Sequence, residues 1–437
     1  MALLRIGRMG KSLASLRQGV ALSPEDARAH SKFGYGLARS GGFEAAKQPL
    51  QRALELDAQL AEAHFYLGVC LDRTGKPREA VERTRQALAL DPELADAHNA
   101  LSVILTNNRW DVEAAIRASH AAIRLRPRKP QYWENLGNAL RLSDDAHRAA
   151  EVYRRALELS PEAVGAYVNL GVTLADHMSD FDGAIAVYRE ALRHIPEKNV
   201  QDRAMVFRNI GVNLRQKGDL DGSAAAHREA VRIAPQWWEA WTGYGGLFVQ
   251  LRDFAGAEAA FREAIRCAPR RVHPRVSLGE VLLPQGKYGE AMQTWRDACD
   301  VAPKDPRPMQ RLAWLLATCP DRSLRDPQRA VALAESAASL APDTVNLRTL
   351  GAALYRAGRY SAALEKLEQA SAQYLDGGGS AVRVCLAMTH HRLGHETEAR
   401  AWLHSAAALL ESARSWHREY LERLLEEARR LLDGEDE

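Results

Sequence analysis

Residues 130–163 read PQYWENLGNALRLSDDAHRAAEVYRRALELSPEA, and this stretch decides the fold. Two helical runs, WENLGNAL and AAEVYRRALELSP, are joined by a short turn and closed by Pro161. Pro161 marks the end of the second run, because a proline removes a helix hydrogen bond and cannot continue the helix. Neither run can bury its apolar stripe by itself, so a unit of this kind needs neighbours.

The rest of the chain supplies them. Pro24, Pro92, Pro127, Pro161, Pro196, Pro235, Pro269, Pro303 and Pro342 each follow an Ala/Leu-rich run such as RQALALDP, REAVRIAP or REAIRCAP, and several consecutive spacings are 34 or 35 residues. One small-residue column runs Ala46, Ala80, Ala115, Ala149, Ala184, Ser223, Ala257, Ala291, Ala330, Ala363, Ala399. A second lies seven residues later: Ala53, Ala87, Ala122, Ala156, Ala191, Ala230, Ala264, Ala298, Ala337, Ala370, Ala406. Seven residues is about two helical turns, so both columns share one face, where small side chains let two helices approach. A third column pairs an apolar residue with glycine: Phe33-Gly34, Leu67-Gly68, Leu136-Gly137, Leu170-Gly171, Ile210-Gly211, Tyr244-Gly245, Leu278-Gly279, Leu350-Gly351. Glycine within a helix costs about 1 kcal/mol against alanine. Its recurrence at one position implies a packing need, room for the partner helix. Gly41, Gly75, Gly218, Gly286, Gly358 and Gly394 mark the turn between the two helices of a unit.

The period and these runs resemble the tetratricopeptide repeat. In that register eleven units begin at Ala27, Ala61, Ala95, Pro130, Val164, Ala204, Trp238, Val272, Pro306, Thr344 and Ser380. The resemblance implies an all-α, right-handed superhelical solenoid of antiparallel helix pairs. The expected organisation is a lone N-terminal helix over 1–26, eleven units over 27–413, and a capping helix with an acidic tail over 414–437. The first segment looks like a helix B without its helix A, which leaves an apolar face for another molecule or a missing segment to cover. Insertions near Asn107–Trp110 and His177–Asp182, from Asn199 to Arg203, within TCPDRSLRDPQRA, and at the run Asp376–Gly379 are expected as loops.

Length alone, 437 residues, would point to about three domains, but a solenoid grows without adding separate cores. With 59 basic and 56 acidic residues the net charge is only +3, which gives no bias toward nucleic acid or an anionic membrane. Cys70, Cys267, Cys299, Cys319 and Cys385 form no Cys-x-x-Cys pair and are odd in number, which argues against a disulfide framework or a zinc site. No run approaches the ~18 apolar residues of a membrane span. The N-terminal apolar run is broken by Arg5, Arg8 and Lys11 and reads as helix rather than signal peptide. A cytoplasmic protein without cofactor is expected.

Solenoids of the resembled family present a groove lined by the first helices, A, of their units. Asn135, Asn169 and Asn209 recur at one helix-A position in three successive units. Amides in such a row can bond the backbone of an extended peptide, or can brace adjacent units. Arg141, Arg208, Arg215, Arg348 and Arg356 fall on helix-A positions expected to face the groove, where guanidinium suits carboxylate and phosphate; a solvated face accounts for most such charges. His30, His64 and His98 recur at 34 residues where later units carry Trp133, Tyr167, Phe207 and Trp241, so they read as ring substitutes rather than a metal ladder. His390, His391 and His395 cluster, but no carboxylate or cysteine completes a metal set. Trp237, Trp238 and Trp241 meet at one junction, and Trp314 replaces a small groove residue. The clamp by which related repeats grip chaperone tails is absent, since Glu134 stands four before Asn138 where lysine is needed.

The expected function is therefore a protein–protein interaction scaffold that takes a protein segment or extended peptide in its groove, not nucleic acid, a membrane or a small-molecule cofactor. It carries no catalytic residues and is not an enzyme. The run LAWLLATCPDRSLRDPQRAVALAESAASLAP, with LAMTHHRLGHETEARAWLHSA, is also similar to tails of planctomycete-type bacterial serine/threonine kinases, although no Gly-x-Gly-x-x-Gly, His-Arg-Asp or Asp-Phe-Gly occurs. The alternative is thus the substrate-recruiting region of a larger kinase or glycosyltransferase whose catalytic domain lies outside this chain.

Overall fold

A computed structural model describes residues 2–373, 379–412 and 418–435. The expected loop at Asp376–Gly378, the first residues of the expected cap at 414–417 and the last two of the acidic tail lie outside them. The described residues are helical apart from turns, with no strand among them. No described helix is long and apolar enough to cross a membrane.

The chain forms two compact units, Met1–Asp219 and Leu220–Glu437. The first begins with α1 (Ala2–Leu22). Five helix pairs follow: α2 (Ala27–Arg39) with α3 (Phe43–Leu56), α4 (Ala61–Arg73) with α5 (Pro77–Leu90), α6 (Ala95–Asn108) with α7 (Val112–Leu125), α8 (Pro130–Leu142) with α9 (Ala146–Leu159), and α10 (Val164–Val172) with α11 (Phe181–His194). Helix α12 (Val200–Gln216) ends the unit. The second opens with α13 (Leu220–Ile233). Its pairs are α14 (Trp238–Gln250) with α15 (Phe254–Cys267), α16 (Val272–Leu282) with α17 (Tyr288–Val301), α18 (Pro306–Thr318) with α19 (Pro327–Leu340), α20 (Thr344–Arg356) with α21 (Tyr360–Ala372), and α22 (Ser380–Arg392) with α23 (Glu396–Ser412). Helix α24 (Arg418–Leu432) closes it.

The two small-residue columns are the seams of these pairs. Every member of both, Ser223 included, is at 0% exposure. Most helix-A glycines sit under a large residue of helix B, while Gly68 meets Thr84. A Cβ on Gly137 would lie 2.5 Å from the Tyr153 ring, and one on Gly245 2.7 Å from Phe261; Gly34 and Gly351 meet Leu50 and Leu367, and Gly279 meets the indole of Trp295. Where a unit has Ser102 instead, the facing residue is Ser119, and the two hydroxyls bond at 2.6 Å. The two sides of a seam are thus matched in size, as close packing requires.

The turn inside a unit needs one left-handed residue. Glycine provides it at Gly41 (φ 87°) and Gly75 (φ 80°), but Arg109, Asp144, Ser179 and Arg252 adopt φ of 53–59° in the units without glycine. For these the conformation costs about 1–2 kcal/mol. An aspartate then offsets part of the cost by capping helix B: Asp111, Asp145, Asp180 and Asp253 each accept from the backbone N–H three residues on.

Two insertions are not loops. Residues Val200 to Arg203 add a turn to the start of α12, behind Asn199, so that helix begins four residues before Ala204. The extra residue near His177 is absorbed as a π turn over Thr173–His177, which takes up one residue without breaking the helix. The ninth unit does carry a longer connection, between α18 and α19, containing the 3-10 turn Arg322–Leu324.

Candidate functional site

In the first unit the expected residues lie on successive A helices: Asn135 and Arg141 on α8, Asn169 on α10, and Arg208, Asn209 and Arg215 on α12. All six are half-buried. Two of the three amides already bridge helices. Asn135 Nδ2 donates to Asn99 Oδ1 on α6 at 2.8 Å, and Asn169 Nδ2 donates to Glu134 Oε1 on α8 at 3.3 Å. Asn209 differs: its Oδ1 accepts from Arg208 Nη1 at 3.1 Å, and its side chain hydrogen-bonds Tyr188 on α11. The row is therefore formed by Asn135 and Asn169 toward the preceding helix A, with Asn209 turned to helix B. Sequence reading missed Asn99, which stands one position earlier in its unit than the asparagines of the column.

The floor of this face is polar and desolvated. Burial pushes the Glu134 carboxyl above its usual range. Burial likewise pushes the Tyr153 hydroxyl up to about 12, against the opposing hydrogen bond of Arg141, while Tyr153 donates to Asn138 Oδ1 at 2.7 Å. Burial lowers Arg215, and the charge of Arg208 two turns away on α12 lowers it further. Two guanidiniums sharing one half-buried face favour an anionic neighbour.

In the second unit the corresponding face carries an aromatic and ionic set. Arg348 lies over the Trp314 ring, 4.6 Å from its centroid. Arg311 pairs with Glu280 at 2.8 Å, and Gln310 Nε2 donates to Thr349 Oγ1 at 2.8 Å, joining α18 to α16 and α20. Arg356 faces the same side; its Nε donates to Ala317 O at 3.0 Å and its Nη2 to Glu427 on α24 at 2.8 Å. The partner Glu427 and the second arginine on it, Arg325, escaped the sequence reading.

The recurring histidines are hydrogen-bond donors in a structural turn. His30, His64 and His98 place Nε2 at 2.9, 3.1 and 2.9 Å from the carbonyls of Pro24, Ala58 and Pro92. Trp133 and Trp241 donate Nε1–H to Pro127 and Pro235, each also six residues back, at 2.9 Å. A carbonyl only accepts, so each imidazole carries its proton on Nε2 and does the work of the indole. The same bond accounts for Trp241 in its cluster, while Trp238 stacks under Arg271 at 5.5 Å.

His390 Nδ1 lies 3.2 Å from His395 Nδ1. Burial, then the charge of His395, hold His390 below the ordinary imidazole range, with Glu398 and Glu368 pulling weakly the other way. A lowered folded value means the unfolded chain takes up the proton first as pH falls. The His390 contribution is thus complete above about pH 6.5 and is lost as pH drops through that value toward the folded one. Thermal melts between pH 7.5 and 5.5 should show a smaller acid-side loss for His390→Gln than for the wild type; equal losses would remove His390 from the account. Among the described residues no group of three or more His, Cys, Asp or Glu is arranged to hold a metal. All five cysteines are free, and burial is the first cause raising each thiol, Cys70, Cys299 and Cys385 to about 11.

Comparison with known families gives these helix pairs their class. One family model described as tetratricopeptide repeat matches residues 61–94, and a second matches 31–76, 109–161, 143–199, 208–272 and 247–306. The matches take in more than half of the chain, which belongs to the tetratricopeptide repeat family. A search of curated proteins found no match. Among solved structures the chain is similar to the pilF protein of Pseudomonas aeruginosa (24% identity, 48% of this chain and 92% of that one, TM-score 0.41). It is also similar to yeast Tom70 (15% identity, 100% and 95%, TM-score 0.43) and to YrrB, described as a TPR protein with an unusual peptide-binding site (20% identity, 43% and 92%, TM-score 0.35).

Proposed function

We propose that this chain is a non-catalytic interaction scaffold that holds an extended protein segment on the A-helix face of its first unit. The observation that carries the reading is the run of half-buried amides and guanidiniums on α8, α10 and α12: Asn135, Arg141, Asn169, Arg208, Asn209 and Arg215. An extended peptide repeats its N–H and C=O groups, and side-chain amides offer both donor and acceptor to match them. Arg208 and Arg215 add a preference for a carboxylate on the bound segment. Five separate, weakly acidic thiols suit a reducing, cytoplasmic setting. The division 1–26, 27–413 and 414–437 remains our reading of its domains.

The test is the triple replacement of Asn135, Asn169 and Asn209 by alanine. Each lost hydrogen bond is worth about 0.5–1.5 kcal/mol, so a partner captured by the purified chain should bind at least about tenfold more weakly, with the helical circular dichroism signal unchanged. Normal binding by the triple variant would reduce the row to internal bracing. Loss of helix would assign it to holding the units together. The likeness of the C-terminal run to tails that follow bacterial kinase domains supports a second reading, in which the same face recruits substrates for a larger enzyme.

A further inference from the structure

A cap for the last pair needs to cover only α22 and α23. Helix α24 packs on both, yet it also reaches residues two pairs earlier. Glu427 accepts from Arg325 Nη1 and Nη2 at 3.0 and 3.2 Å and from Arg356 Nη2 at 2.8 Å. Arg325 lies in the connection between α18 and α19, and Arg356 is the last residue of α20. Arg325 is itself fixed, its Nε donating to Cys319 O at 2.7 Å. The three charged side chains of this clamp are only 14–16% exposed. Leu424, Leu425, Ala428 and Leu431 are buried in the same core as Leu354, Tyr355 and Met388 of the repeats. The helix thus presents an apolar stripe spaced three and four apart with one carboxylate among it, LERLLEEARRLL over 421–432. Around that carboxylate the repeat face stays basic. Arg322 and Arg392 line open cavities of about 220 and 200 Å³ beside Glu427.

We propose that the surface formed by α22, α23, the end of α20 and the α18–α19 connection is a docking groove for an amphipathic helix bearing one central carboxylate. Helix α24 is its internal ligand, and a partner helix of the same chemistry displaces it. The site is separate from the face of the first unit and does not depend on that reading. Two fixed guanidiniums from different repeats converge on one carboxylate, a geometry that selects Asp or Glu over neutral or basic residues. The apolar residues that share a core with Leu424, Leu425 and Leu431 select a helix with leucines at matching turns. Because α24 belongs to the same chain, its local concentration is high, and an outside helix competes only where the internal clamp is weakened or the outside contact is stronger.

The probe is a fluorescent peptide of residues 418–432, titrated into the full-length chain. Glu427→Gln in the chain keeps the shape of α24 and removes its charge. This variant should bind the peptide at least about tenfold more tightly than the wild type does, while a peptide with Gln at the same position should bind it at least about tenfold more weakly. Full-length Arg325→Gln/Arg356→Gln should also release α24, seen as faster amide exchange over 421–432, but should not take up the peptide. Equal peptide binding by wild type and Glu427→Gln would make α24 a structural cap and overturn the proposal. If Glu427→Gln loosens α22 as well as α24, the wild type decides: about a hundredfold excess of unlabelled peptide should speed exchange over 421–432 and leave α22 protected, and unchanged exchange overturns the proposal.

Discussion

Replacing Trp295 by alanine is expected to destabilise the second unit by about 3–5 kcal/mol, the range for emptying a large aromatic site. Trp295 is 1% exposed and is the largest of the fully buried side chains. Its ring fills the space that Gly279 leaves on α16, and its Nε1 donates to Val276 O at 3.1 Å inside the pair. Alanine would leave a void that the rigid seam at Ala291 and Ala298 cannot close, and the pair would lose the indole's hydrogen bond to Val276. The reciprocal change, Gly279→Ala, drives a Cβ into the indole and should also destabilise, by about 1–3 kcal/mol. Because a repeat array need not unfold in one step, amide exchange over α16, α17 and α18 is a better measure than a single melting temperature. A loss below about 1 kcal/mol there would show that the neighbouring helices close over the gap.

The second large effect is acid release of α24. Burial alone would raise the Glu427 carboxyl, but the hydrogen bond and charge of Arg356, then of Arg325, outweigh it and bring it down to about 2. The folded value lies below the unfolded one, so the contribution is present above about pH 4.5 and is lost as pH falls through the folded value near 2. The difference from an ordinary glutamate corresponds to about 3 kcal/mol, little screened at this exposure. Amide exchange of residues 421–432, followed from pH 6 to pH 2.5, should accelerate steeply in the wild type. In Glu427→Gln it should start fast and change much less. Other carboxylates titrate in the same window, so the comparison between the two chains is the measurement, and superimposable profiles would exclude the clamp as the acid-labile contact.

What the sequence disclosed and what it withheld follow from range. Ten of the eleven expected unit starts coincide with the first residue of a helix, because each rests on local signals: the proline behind helix B, the alanines two turns apart, the glycine under a large side chain. The reading of His30, His64 and His98 as ring substitutes was available because position in the repeat fixes the neighbour, the carbonyl six residues back. It failed where the chain spent extra residues. An insertion gives no sign whether it becomes loop, an added turn as before Ala204, or a π turn as at Thr173–His177. The candidate site was legible only in part. Helix-A register placed Asn135 and Asn169 on one face, but their acceptors, Asn99 and Glu134, depend on rotamers that register does not fix. Glu427 and Arg325 stand 102 residues apart in the chain, and no periodicity links a helix that lies outside the repeat to a connection that interrupts it.

The exchange of size across each seam bears on how such a chain can be inherited. Gly137 answers Tyr153, Gly245 answers Phe261, Gly279 answers Trp295, and Ser102 answers Ser119, each within a single pair. A mutation on one side has its compensating site sixteen or seventeen residues away, inside the same block of DNA. A whole pair can then be copied, lost or moved by recombination and arrive with its fit already complete. The bonds that cross from pair to pair, such as Asn135 to Asn99 or Gln310 to Thr349, are the ones such an event would break, and these lie on the face where partners are expected to be chosen. Lengthening the array would therefore preserve its stability more readily than its specificity.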